Sequence, residues 1–117
     1  IVSTGATPVS MVITLSGRLA YIANQGSHSI SACSINAFGA LTRLTGFTST
    51  GLNPNALITD PSGQFFYTAE SDSTATNNEL SAFTIGSGNL LTPIAGSPFP
   101  EGSNTRPLSI VTIGSIQ

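Results

Sequence analysis

The sequence predicts an all-β fold built of tandem four-stranded antiparallel units, and three observations carry that prediction. One phrase occurs twice, from Pro8 to Asn24 and from Pro54 to Glu70: a proline, an apolar run, a Ser-Gly pair, and a tyrosine four residues after that glycine. A third copy opens at Pro107. Short runs rich in β-branched and aromatic residues alternate with Gly, Pro, Asn and Ser, which is the signature of strands joined by turns. No window carries the 3.6-residue periodicity of an amphipathic helix.

The elements follow from aligning the copies, because a fixed internal period decides the architecture. Residues 1–8 match residues 47–54 without a gap, and the register holds from Pro8 and Pro54 to Asn24 and Glu70. The second copy then inserts a longer loop over residues 71–79. Register returns at Ser31–Ile35 with Ser81–Ile85, and at Leu41–Gly46 with Leu91–Gly96. Each unit therefore holds four strands, a to d. They are expected near 9–15, 18–24, 29–35 and 41–49, then near 55–60, 64–70, 79–85 and 91–98. Ser16-Gly17 and Ser62-Gly63 supply the tight a–b turns, glycine taking the positive φ at no steric cost. Strand a is apolar on both faces (Met11, Val12, Ile13; Ala56, Leu57, Ile58), which predicts a strand sandwiched on both sides. A repeated unit of about 40–50 residues with a buried first strand describes a β-propeller blade. Strand a then lines the channel and strand d forms the outer edge. A β-sandwich has strands at similar spacing, but nothing in it requires a repeat every four strands. The expectation is one repeat domain over 1–117, with blade 1 at 8–50, blade 2 at 54–98 and terminal strands at 1–4 and 107–116.

Composition narrows the function classes. Charged residues make up 7% of the chain, lysine is absent, and the net charge is −2, against roughly a quarter charged in an average globular protein. Three scattered arginines cannot neutralise a phosphate backbone, so nucleic acid is not an expected partner. No apolar run approaches the ~18 residues of a membrane span. Polarity comes from Ser, Thr, Asn and Gly, the composition of a secreted or cell-surface β-protein. The chain opens on Ile1 rather than Met, so a missing leader does not argue for the cytoplasm. Cys33 is the single cysteine and aligns with Phe83, which reads as a buried small hydrophobe.

Four phrases carry a resemblance: Pro-x-Ser-Met/Ile-Val at Pro8 and Pro107, Pro61-Ser-Gly-x-Phe-x-Tyr67, Ser81-Ala-Phe-Thr-Ile85, and Leu91-Thr-Pro-Ile-Ala-Gly-Ser-Pro-Phe-Pro100. Together they resemble the lactonase-family, YVTN-type propeller repeats, a group that includes 6-phosphogluconolactonase-like and muconate-cycloisomerising enzymes. The repeat's Tyr-Val-x-Asn stands here as Tyr21-Ile-Ala-Asn24 and Tyr67-Thr-Ala-Glu70, the second departing at its last position. The resemblance implies a ring of seven blades, about 300 residues at this period. Two blades leave two apolar sheet faces bare, and repeats of this kind need about three or more neighbours to close a core.

Two function classes follow. The first is a non-catalytic extracellular structural or interaction module that assembles with copies of itself, as a ring or as a filament. Ile1 and Val2 at one end, and Leu108, Ile110, Val111, Ile113 and Ile116 at the other, would supply the pairing strands. The second is a sugar-lactone hydrolase to which these blades belong, completed by further blades of the same protein. Lactone opening needs a base and groups that stabilise an oxyanion, and His28, Glu70 and Arg106 are residues of the right type. The resemblance transfers no catalytic position to them. Asp72, Asn77, Asn78 and Glu79 cluster oxygens as a calcium site would, without EF-hand spacing. No other cofactor is implied. Tyr21, Tyr67 and Phe99 could stack on carbohydrate, but both tyrosines recur on strand b, where packing between blades explains them better.

Overall fold

A computed structural model describes residues 2–44, 46–72, 74 and 77–100. They form two twisted antiparallel sheets, one per repeat. The first contains β1 (Pro8–Ile13), β2 (Leu19–Asn24), β3 (Ser29–Ile35), β4 (Leu41–Arg43) and β5 (Thr48–Ser49). The second contains β6 (Asn53–Thr59), β7 (Phe65–Ser71), β8 (Asn78–Ile85), β9 (Leu91–Pro93) and β10 (Phe99–Pro100). Within each sheet the first three strands are neighbours in chain order, and the fourth position is shared by two short strands that both pair with the third. The expected order a–b–c–d is therefore present twice, with strand d broken in two. Short 3₁₀ turns at Gln25–Ser27 and Ser87–Asn89 are the helical content among the described residues.

The local chemistry explains the corners. Gly17 and Gly63 sit at φ 70° and 72° in the a–b turns, a conformation that costs other residues strain. In the second blade Asp60 closes the corner further. Its carboxylate accepts the amides of Phe65 at 2.8 Å, Gln64 at 3.1 Å and Ser62 at 3.1 Å. Both a–b pairs shift register near their start, between Pro8 and Ser10 and between Pro54 and Ala56. A proline cannot donate to the ladder, and the repeated bulge falls where each chain enters its inner strand.

Strand alternation sorts the apolar residues onto two sides of each blade. Tyr21, Ala23 and Ile30 of the first blade meet Leu57, Phe66 and Phe83 of the second in one buried cluster. Tyr21 packs on Phe66 with ring centroids 5.0 Å apart, and Phe66 on Phe83 at 6.0 Å edge-on. Such pairs add about 0.5–1.5 kcal/mol each beyond the area they bury. The opposite side of the first blade holds a smaller cluster, Ala20, Ile22 and Cys33, with Val2 and Ile35 against it. Cys33 is fully buried there, as its alignment with Phe83 predicts, and burial pushes its thiol pKa up against the influence of Arg43.

Two expectations are corrected. Strand a of the first blade is not sandwiched: Val9, Met11 and Ile13 are 44%, 55% and 50% exposed, whereas Ala56 and Leu57 of the second are buried. The second blade packs against the first, and no described residue covers the far side of β1. Residues 2–4 do not form a strand. Their counterparts in the repeat, Thr48 and Ser49, pair with strand c of the blade just completed, at Ile30 and Ser29. Val2 and Ser3 have no such completed blade among the described residues. Ile1 and the assembly positions Leu108, Ile110, Val111, Ile113 and Ile116 lie outside the described residues.

Candidate functional site at the blade junction

The ends of strand b, the b–c loops and the d–a loops gather on one edge of the two blades. In the first blade Asn24 organises them. It is fully buried, its Oδ1 accepts the Gly5 amide at 3.1 Å, and its Nδ2 donates to Ser31 Oγ at 2.9 Å. Ser27 Oγ accepts the Ala6 amide at 3.1 Å and shares a hydrogen with Ser29 Oγ at 2.9 Å. The backbone completes the seam, Gln25 N–H donating to Thr7 O and Gly26 N–H to Ala6 O. Contact is so close that a Cβ on Gly5 would stand 2.7 Å from Asn24 Cγ and also strike Ser27 Oγ, and one on Gly26 would stand 2.6 Å from Thr7 Oγ1.

Glu70 takes the place of Asn24 in the second blade. It is equally buried, its Oε2 accepts the Leu52 amide at 3.3 Å, and its Oε1 has no hydrogen-bond partner among the described residues. Glu79 is its direct cross-strand neighbour. Burial pushes the Glu70 carboxyl pKa above its ordinary value; Glu79 adds to this, while the Ser81 hydroxyl and the amides of Leu52 and Gly51 oppose it. The seam is also looser, since a Cβ on Gly51 would meet only Glu79 Oε2, at 3.6 Å.

Between the blades runs a chain of side-chain hydrogen bonds. Gln25 Nε2 donates to Asn55 Oδ1 at 2.9 Å, and Asn55 Nδ2 donates to Ser71 Oγ at 2.8 Å. The Thr50 amide donates to His28 O at 2.8 Å, and Thr50 Oγ1 to Leu52 O at 2.8 Å. Loop 50–53 is thus clasped by one blade at His28 and by the other at Glu70.

The sequence-predicted candidates do not converge. His28 sits in the left-handed region at φ 48° with its side chain exposed. It lines a cleft of about 290 Å³ with Gly5, Ser27, Ser29, Phe47 and Ser49, toward the outer strand. Glu70 is enclosed in the scaffold and borders none of that cleft. Arg106 lies outside the described residues. Of the calcium candidates, Asp72 closes its own turn. Its Oδ1 accepts the Thr74 amide at 3.0 Å and its Oδ2 the Asn77 side-chain amide at 2.7 Å. Asn78 is buried opposite Ser71 and Glu79 faces Glu70, so the four do not point at one center. Among the described residues no three His, Cys, Asp or Glu side chains come together. Of the stacking candidates, Tyr21 is buried and directs its hydroxyl to Asn89 O at 3.4 Å, Tyr67 is half-buried, and Phe99 is exposed in β10. Sequence reasoning missed Gln25, Asn55 and the Asn24 network. The signal was present in Asn24 and Glu70, polar residues recurring at the end of an otherwise apolar strand.

Comparison with known proteins fits this geometry. The profile described as lactonase, seven-bladed β-propeller, matches residues 3–103. A functionally unknown protein from Desulfotomaculum acetoxidans superposes with a TM-score of 0.72 at 19% identity, covering 84% of this chain and 28% of that one. A candidate 6-phosphogluconolactonase from Bacteroides uniformis gives 0.72 at 15% identity, covering 87% and 29%. Another from Bacteroides fragilis gives 0.73 at 17% identity, covering 90% and 29%. The chain therefore spans under a third of the length of these structures, and at such identities the likeness is one of fold. No curated protein matches the chain. With two successive four-stranded blades and a family match over most of its length, the chain belongs to the lactonase family of seven-bladed β-propellers.

Proposed function

We propose that these residues are two blades of a propeller that hydrolyses a sugar lactone, and that they contribute a substrate-binding edge rather than the acid–base groups. The observation that carries the reading is the family match over residues 3–103. Two of the similar structures, which bear the name of candidate 6-phosphogluconolactonases, agree with it. Lactone hydrolysis adds water to the ring carbonyl, passes through a tetrahedral oxyanion, and breaks the ring C–O bond to leave a hydroxy acid. A polyhydroxylated substrate wants neutral donors and acceptors held in fixed positions. Gln25, from the b–c turn of the first blade, and Asn55, on the inner strand of the second, offer such groups, held in place by their own hydrogen bond and by that of Asn55 to the buried Ser71. Glu70 is reserved for the scaffold by its burial.

Lactone-dependent acid release by the complete protein tests the proposal. Release above the spontaneous rate is expected, with kcat/KM about tenfold lower in Asn55→Ala, the equivalent of one lost hydrogen bond. Release that is absent, or indifferent to Asn55, would overturn it.

A second reading is favoured by the bare row Val9, Met11 and Ile13. On it the chain is a non-catalytic extracellular module whose sheet faces are covered by copies of itself; the charge-poor surface suits a secreted setting. Oligomers of defined mass without lactone turnover would support this reading over the first.

A further inference from the structure

Blade 1 secures its d–a loop with a neutral amide, and blade 2 secures the equivalent loop with a carboxyl that faces a second carboxyl. Asn24 and Ser29 are cross-strand partners in the first blade, and Glu70 and Glu79 occupy the same register in the second. Asn24 can donate and accept at once, and it binds Gly5, Ile22 and Ser31. An ionised glutamate only accepts, and Glu70 is fully buried with Oε1 unsatisfied and the Leu52 amide on Oε2. A carboxylate out of water, with a second carboxylate as its cross-strand neighbour, is disfavoured against its protonated form.

We propose that the Glu70–Glu79 pair is a proton-operated latch on loop 50–53, the connection between the two blades. With Glu70 protonated the loop stays closed over it. When that proton leaves with rising pH, the buried carboxylate demands water, and the loop opens to admit it even though the Leu52 amide favours the ionised form. The neighbouring elements bring no compensating cation among the described residues. Strand β6 and loop 50–53 carry no ionisable side chain. Just past β7 Asp72 is tied to Thr74 and Asn77, and on β7 Tyr67 alternates to the other face; on β8 Glu79 is the titratable residue. From the first blade the titratable neighbour is His28, which touches the loop through its carbonyl while its imidazole is exposed. The first blade has no counterpart of the latch, because the side chain that ties its loop is the Asn24 amide, which does not titrate.

Amide hydrogen exchange in the complete protein, from about pH 5 to about pH 9, tests this. Protection of Gly51 and Leu52 should fall with pH faster than intrinsic exchange explains, by up to about tenfold per pH unit for one linked proton. Gly5 and Ala6 should follow the intrinsic rate. Glu70→Gln should remove the excess, and Glu79→Gln, which deletes the repelling charge, should move the opening to lower pH. A wild-type profile retained in Glu70→Gln, or no excess loss in the wild type, would overturn the proposal. If Glu70→Gln does not fold, an unshifted profile in Glu79→Gln would overturn it equally.

Discussion

Positions 24 and 70 perform one mechanical task, tying a d–a loop to the end of strand b, with an amide in one blade and a carboxyl in the other. The difference has a thermodynamic consequence whose sign is fixed. Burial raises the folded-state pKa of Glu70, so the native protein binds more protons than the unfolded chain. Its contribution is most favourable below the unfolded value of about 4.3 and is lost as pH rises from there through the folded value. Glu70→Gln should therefore flatten the acid-to-neutral slope of stability and raise stability at neutral pH, read as a denaturation midpoint. Asp60 behaves in the opposite sense. Against desolvation, hydrogen bonds from Ser62, Phe65 and Gln64 hold its carboxyl below the usual range, so its contribution is lost as pH falls. Glycine contacts give a second residue-scale test. Gly5→Ala forces a Cβ into Ser27 and Asn24 and should cost about 1–3 kcal/mol, whereas Gly51→Ala, with 3.6 Å of room, should be close to neutral. Denaturant titration of both variants checks the contrast.

At the scale of strands, the sequence was most legible where the repeat spoke. The Ser-Gly corners, the inner order a–b–c and the pairing of Tyr21 with the second blade follow from the alignment of residues 8–24 with 54–70. Strand d was legible only in outline. Leu41–Arg43 and Thr48–Ser49 read as one continuous run, but they contact opposite ends of β3. Burial of strand a was over-read, because Met11, Val12 and Ile13 resemble a fully enclosed run whether or not a neighbouring blade is present. The candidate site was hardest to read, since polar residues that zip two loops together look in a sequence like polar residues that face a substrate. Glu70 drew attention as a catalytic type and proved to be enclosed; Gln25 and Asn55 drew none. One prediction belongs at this scale. Phe66→Ala should cost about 3–5 kcal/mol, because Phe66 is fully buried between Tyr21 and Phe83. Met11→Ser should lower the denaturation midpoint of the complete protein if a neighbouring blade covers β1, and leave it unchanged if β1 stays exposed as it is among the described residues.

The whole molecule is defined by what its two sides share. The first blade offers its Tyr21 side to the second and leaves Val9, Met11, Ile13, Ile22 and Cys33 on the other. That side is the equivalent, in the repeat, of the Phe66 and Phe83 side which the second blade turns to the first. The sheet that would fit it is therefore already present in the chain as a type. Fold and family are consistent with two members of a seven-membered ring, and the function question becomes one of which blades complete it. The most direct test is the mass in solution of a chain limited to these 117 residues. The prediction is that it associates or fails to fold alone, since its open faces demand neighbours. A stable, folded monomer of 11.9 kDa would contradict the account.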